Sequence, residues 1–357
     1  MGKDNLRIIN LKSINGLGIM VNEHLKTIRE CERDVIVPIE EVRFSNGEGK
    51  IKLNETVRGK DVYILADIGN HSCTYEMHGY TNHMGPDEHF QDIKRTICAI
   101  MAHAERITVI MPLMYSSRQH KRKGRESLDC AIALQELERL GVRNIITFDV
   151  HDPNVQNAIP ISSFNNFYPT STMLEDFLED DSIDLDNLLV ISPDTGAMDR
   201  ALYYANKLDV DVGVFYKRRD LNKIVNGSNP IVAHEYMGSD VNGKDVIVVD
   251  DMIASGSSMI EVAEELKKRG AKRIYMFATF ALFSSGIENF TKAYESGLFE
   301  KLFTTNLTYI ADHIKEQKWL HEVDCSHFLA EIISTLCDRK SISPLVSGPL
   351  RRRKEKV

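Results

Sequence analysis

Short apolar runs punctuate the chain: VYIL (62–65), ITVIMP (107–112), IITFDV (145–150), LLVIS (188–192), VGVFY (212–216), VIVVD (246–250) and IYMFATF (274–280). Their near-continuous apolar character predicts strands buried on both faces, the condition of a parallel sheet covered by helices. Between them the period lengthens. Cys130, Ala133, Leu134, Leu137 and Leu140 fall on one helical face, as do Met259, Val262, Ala263 and Leu266. Gly141 and Gly270 stand just past those two helices, where a left-handed residue closes a helix. The pattern predicts an α/β fold of mainly parallel sheets flanked by helices.

The two helix–strand units also resemble each other. ELERLGVRNIITF (136–148) and ELKKRGAKRIYMF (265–277) share Glu, Leu, Gly, Ile and Phe at equal offsets. An internal duplication would give two similar domains joined near NNFYPTST (165–172), although any amphipathic helix, glycine cap and strand look alike. The length of 357 residues fits two domains of ~150 residues. The expected division is 1–165 and 166–357. The segment SISPLVSGPLRRRKEKV is breaker-rich and basic at its end, which predicts a terminal strand followed by a frayed tail.

Composition narrows the class. Hydrophobic residues make up 43% and charged residues 27%, which suits a globular enzyme and excludes a disordered chain. Acidic residues outnumber basic ones by 52 to 44, a net charge of −8 that argues against non-specific nucleic-acid binding. None of the six cysteines forms a Cys-x-x-Cys pair, so they read as reduced cytosolic thiols. The N-terminus lacks the apolar stretch of a signal peptide, and Leu6 stands where a myristoylation signal wants Ser or Thr. No run approaches the ~18 apolar residues of a membrane helix. The expectation is a soluble cytoplasmic protein with no nucleic-acid or membrane partner.

The most informative stretch for chemistry is VIVVDDMIASGSSMIEVAEELKKRG. A buried strand ends in Asp250 and Asp251, and a small-residue loop (Ala254, Ser255, Gly256, Ser257, Ser258) then opens a helix. Small residues let backbone N–H groups approach an anion, and the helix dipole adds to the attraction. Paired carboxylates before such a loop suit sugar hydroxyls or a hydrated Mg²⁺. A plain strand–turn–helix joint with Ser as N-cap is the blander reading. SSRQHKRKGRES (116–127) places five basic residues and His120 at the carboxyl end of a strand, the edge where open α/β sheets bind ligands. A solvated charge run would look the same. FYKRRD (215–220) is again basic at a strand end, before a long connection of the kind that forms lids. His151 and Asp194 end two further strands, and Asp194 is the more natural Mg²⁺ ligand.

Together these pieces resemble the ribose-phosphate pyrophosphokinase (PRPP synthetase) family. The matching segments, in the family's order, are RFSNGEGKIKLNETVRGKDVYIL (43–65), MYSSRQ (114–119), FDVH (148–151), SPDTG (192–196), YKRR (216–219), VVDDMIASGSSM and SISPLV. The resemblance implies two phosphoribosyltransferase-like domains and transfer of pyrophosphate from Mg·ATP to O1 of ribose 5-phosphate, a step of nucleotide biosynthesis. By the same resemblance, Asp250, Asp251 and Ser255–Ser258 would hold ribose 5-phosphate, and Arg118 and Gln119 would bind ATP. His151 and Asp194 would lie at Mg²⁺ sites. Phe44, Asn46 and Glu48 would contact adenine from a neighbouring subunit, making a homo-oligomer part of the site. Lys217 and Arg219 would sit on a mobile catalytic loop.

This chain departs from the family pattern at several points. Ala254 stands where a third Asp is usual, Ser255 and Ser258 replace Thr, and the SPD motif runs on into Thr-Gly-Ala. His120 replaces an Asp in a basic loop one residue short. Residues 67–89 are longer than the family's turn and carry His71, Cys73, His78, His83 and His89, a density that could bind a transition metal, although the irregular spacing favours a structural insertion. These leave two other readings beside the active enzyme: a non-catalytic regulatory paralogue that binds nucleotide or partner subunits, and a phosphoribosyltransferase.

Overall fold

The structure, a computed structural model, describes residues 5–219, 231–348 and 350. It divides into two compact units. The first runs to Pro169 and takes back Asn306–Ala311 and Asp324–Gly348; the second holds Thr170–Thr305 and Asp312–Val323.

In the first unit the elements are β1 (Leu6–Asn10), α1 (Asn15–Ile28), a hairpin of β2 (Ile39–Arg43) and β3 (Gly49–Leu53), and β4 (Asp61–Leu65). A second hairpin, β5 (Thr74–Met77) and β6 (Tyr80–His83), precedes α2 (Pro86–Ile100), β7 (Arg106–Ile110), α3 (Asp129–Arg139), β8 (Asn144–Phe148) and β9 (Ser163–Phe167). An all-parallel sheet orders the strands β1-β4-β7-β8-β9, and each hairpin is a sheet of its own. Every residue of β1 and β4 is buried, as strands covered on both faces require. α1 turns Leu17, Val21 and Leu25 inward at four-residue spacing. Asp61 and Arg106 face each other in register where β4 and β7 begin, and Arg106 Nε donates to Asp61 Oδ1 at 2.9 Å.

The second unit carries α4 (Thr170–Phe177), β10 (Leu188–Ser192), α5 (Met198–Leu208), β11 (Asp211–Arg219), β12 (Ile231–Met237) and β13 (Asp245–Ile253). It continues with α6 (Ser257–Lys268), β14 (Arg273–Ala281), α7 (Glu288–Glu295), β15 (Lys301–Thr305), α8 (Asp312–Lys315) and β16 (Leu320–Val323). The sheet order is β12-β11-β10-β13-β14-β15-β16, parallel except for β12 at the edge. Phe177, Tyr204, Phe277 and Phe303 centre its core. α9 (Ser326–Cys337) and α10 (Ser343–Ser347) then rejoin the first unit.

All seven expected strands form, and Gly141 and Gly270 take the left-handed φ of 89° and 86° after α3 and α6. The fold is thus the expected mixed α/β architecture. The SISPLV segment, expected as a strand, is the helix α10. Its Pro344 lies in the first helical turn, where a missing N–H leaves no bond unmade. The basic tail lies outside the described residues.

Candidate active site

β13 extends three residues beyond the apolar run, because its ladder with β14 continues through Asp250–Ala278, Met252–Phe280 and Ile253–Ala281. Both aspartates therefore sit on the strand itself. Asp251 is buried, and its N–H donates to Asp250 Oδ1 at 2.9 Å. Burial, then the charge of Asp251, holds the Asp250 carboxyl well above the usual carboxylate range, while Arg200 on α5, 3.8 Å away, works against that rise.

Gly256 follows with φ +72°, and a Cβ there would stand 2.1 Å from Cε2 of the fully buried Phe290. Only glycine fits that left-handed position against that ring. It is also the N-cap of α6, so the cap position itself brings no side chain onto the helix start, and no acidic residue lies in the first turn. Ser255 and Ser257, both exposed, bring their hydroxyls within 3.2 Å of each other, with the partly buried Ser258 next along the helix. The joint therefore presents uncapped donors and hydroxyls beside two carboxyls, a surface suited to a phosphorylated sugar.

In the same unit Asp194 closes the turn between β10 and α5. Its Oδ1 accepts from the N–H groups of Gly196 and Ala197 at 2.8 and 3.2 Å, and the side chain is exposed. Lys217 and Arg219 lie on β11, in register with His234 and Ile231 of β12, with an irregularity between Arg218 and Arg219. The connection expected as one long loop is thus partly a strand pair; residues 220–230 lie outside the described residues.

The first unit holds the other candidates. After β7 the chain turns through Ser116, whose φ is +52°, and exposes Arg118. Gln119 Nε2 donates to Ser127 O at 2.7 Å, closing the basic loop on itself. His120 lies with its Nε2 3.4 Å from Asp152 Oδ2 and its ring 5.3 Å from that of His151. Burial raises the Asp152 carboxyl, but bonds from Asn154 and the charges of His120 and Lys121 outweigh it and leave the group below its ordinary value. The histidine that departs from the family pattern therefore has an acid beside it. Phe44, Asn46 and Glu48 form the tip of the β2–β3 hairpin. Phe44 N–H donates to Glu48 O at 2.8 Å, Glu48 N–H donates to Asn46 Oδ1 at 3.2 Å, and the Phe44 ring is 48% exposed.

The structure thus gathers the candidates into two sets, one in each unit. Arg200 and Asp152 escaped the sequence reading. Each lies close in sequence to a residue singled out for itself, Asp194 or His151, and only packing shows what it faces. The histidine-bearing stretch forms the β5–β6 hairpin: His83 Nδ1 lies 2.7 Å from His71 O, and buried His89 pairs through Nε2 with Asn70 O at 2.7 Å. Among the described residues no three His, Cys, Asp or Glu side chains converge as a metal site. Asp194 offers an exposed carboxylate just past the end of β10, with Oδ2 outside its backbone bonds. That oxygen suits a hard cation that keeps most of its waters and phosphate ligands.

Residues 6–141 match the family described as the N-terminal domain of ribose phosphate pyrophosphokinase, and residues 171–294 the phosphoribosyl transferase domain. The ribose-phosphate pyrophosphokinase of Vibrio parahaemolyticus is 30% identical over 307 residues, 85% of this chain and 89% of that protein. That of Pasteurella multocida is 31% identical over 306 residues, with the same coverage. The phosphoribosylpyrophosphate synthetase of Mycobacterium smegmatis has the same fold, with a TM-score of 0.75 over 94% of this chain and 99% of that one at 22% identity.

Proposed function

The chain belongs to the ribose-phosphate pyrophosphokinase family, and from that premise we propose that it moves the β,γ-diphosphate of ATP onto O1 of ribose 5-phosphate, giving PRPP and AMP. The observation that carries the reading is the β13–α6 joint, where two carboxyls precede an uncapped helix start built on Gly256. In the reaction O1 bonds to the β-phosphorus as the bond from that phosphorus to the α,β-bridging oxygen breaks. AMP leaves with that oxygen, and the hydroxyl proton passes to water.

Little covalent work falls to the protein, so alignment and charge carry the catalysis. The α6 N–H groups and the hydroxyls of Ser255, Ser257 and Ser258 take the 5-phosphate, while Asp250 and Asp251 accept from the ribose hydroxyls. Arg118 and Gln119 hold the nucleotide, and Phe44, Asn46 and Glu48 meet adenine from a second copy of the chain in a homo-oligomer. Lys217 and Arg219 neutralise the transferring diphosphate. Mg²⁺, held with the phosphates near His151 and Asp194, would supply further charge neutralisation. The reaction draws on cytoplasmic ATP, and we place the chain there; no helix among the described residues is long and apolar enough to cross a membrane.

The test is to incubate the purified protein with Mg·ATP and ribose 5-phosphate. AMP formed only when both are present supports the reading. Nucleotide binding without AMP would replace it with the regulatory paralogue, and pyrophosphate release from PRPP and a base with a phosphoribosyltransferase.

A further inference from the structure

The β5–β6 hairpin packs against the β2–β3 hairpin. Arg43, the residue before Phe44, places its guanidinium carbon 5.5 Å from the centre of the Tyr75 ring and pairs through Nη2 with the buried carboxylate of Asp92. Tyr75 OH donates to Glu88 Oε1 at 2.8 Å. Glu88 and Asp92 lie one turn apart on α2, so one helix face fixes both the stacking ring and the arginine beneath it. A second contact lies at the tip. Gly47, at φ +88°, has Met77 Sδ only 2.7 Å from where a Cβ would be, so the thioether rests on its bare α-carbon. Arg43 and Gly47 bracket Phe44 and Asn46.

We propose that the β5–β6 hairpin is a brace that sets nucleotide affinity, with Tyr75 and Met77 as positioning residues for Phe44, Asn46 and Glu48. The inference rests on the reading that those three residues meet adenine. A tip ordered before ATP arrives loses less conformational freedom on binding, so the brace lowers the dissociation constant without touching the ligand. A two-stranded hairpin is marginal alone in water, and the β2–β3 hairpin gains its order from α2 and the β5–β6 hairpin.

The experiment titrates the full-length protein with Mg·ATP and, separately, with ribose 5-phosphate, following heat. Tyr75→Ala and Met77→Ala should each weaken Mg·ATP binding roughly 10-fold while ribose 5-phosphate binding stays within about two-fold. Tyr75→Phe keeps the ring under Arg43 and should restore most of the affinity. A merely structural role would weaken both ligands together, and that result overturns the proposal, as does unchanged Mg·ATP affinity in both alanine variants. Phe44→Ala separates the two readings. If it weakens Mg·ATP and the brace variants do not, the brace alone fails; if Phe44→Ala changes nothing, the adenine reading fails and takes the brace with it.

Discussion

Asp250 and Asp251 differ although they adjoin. Asp251 is buried and fixes its own backbone N–H on Asp250, while Asp250 meets Arg200 at 3.8 Å. Replacing Asp251 by Asn puts an amide donor where a sugar hydroxyl must donate, so Asp251→Asn should severely impair ribose 5-phosphate use. Ala254 is a lesser matter if backbone N–H groups at the start of α6 hold the phosphate. An acid beside a phosphate dianion is unfavourable unless something mediates. Ala254→Asp should therefore change KM and kcat by less than ~10-fold, about 1.4 kcal/mol. AMP release from the three proteins side by side checks both statements, and a silent wild type rescued by Asp at 254 would favour the regulatory paralogue. Lys217 belongs to the transition state on our reading. Lys217→Ala should lower kcat by about 100-fold or more and leave Mg·ATP affinity within about three-fold, measured by single turnover and titration.

At the scale of elements, the loop after β4 shows how segments far apart in sequence are tied within the first unit. Buried Asp67 accepts from Tyr309 N–H at 2.7 Å, Gly69 N–H at 2.8 Å and the Thr308 hydroxyl at 3.1 Å. Burial pushes its carboxyl up to about 6 from 3.8 despite those donors. The folded state thus holds a proton between pH 4 and 6 that the unfolded state has released, and this stabilising contribution is lost as pH rises through 6. Urea unfolding should show wild type losing roughly 2–3 kcal/mol relative to Asp67→Asn between pH 4 and 7. Equal slopes would place the titration elsewhere. The same loop shows where sequence pattern stops being informative. Runs such as VIVVD and LLVIS announce themselves because both strand faces are buried, and the β13–α6 joint because its small residues and double Asp have few other uses. β2, β3, β5 and β6 are half-exposed and lack an apolar run. Their pairing comes from turns and from Arg43, Tyr75 and Asp92, contacts no local period encodes. SISPLV misled because β-branched residues around a proline fit an edge strand as well as a first helical turn.

At the scale of the whole molecule, the proposed site is shared between copies. If Phe44 serves a neighbour and Lys217 its own chain, mixing Phe44→Ala with Lys217→Ala under conditions of subunit exchange, at ATP too low to saturate the first variant, should give more activity than the two contribute separately. With random assortment about one site in four would be intact, whereas sites confined to one chain would recover nothing. The first unit is also interrupted in sequence. Its sheet is complete by Phe167, yet α9 arrives only after the second unit, bringing Asp338 to Arg29 at 2.9 Å, the Leu336 carbonyl to Arg106 at 3.1 Å and the Phe328 ring onto Phe148 and Phe167. A ribosome delivers the chain from its N-terminus at ~5–20 residues per second, so the earlier-made half waits for tens of seconds with the α9 face of α1 bare. The second unit lacks that delay, because its strands are contiguous but for a six-residue excursion. The half synthesised second is thus free to mature first, and chaperones that shield nascent apolar surface should engage this protein through α1 until α9 emerges.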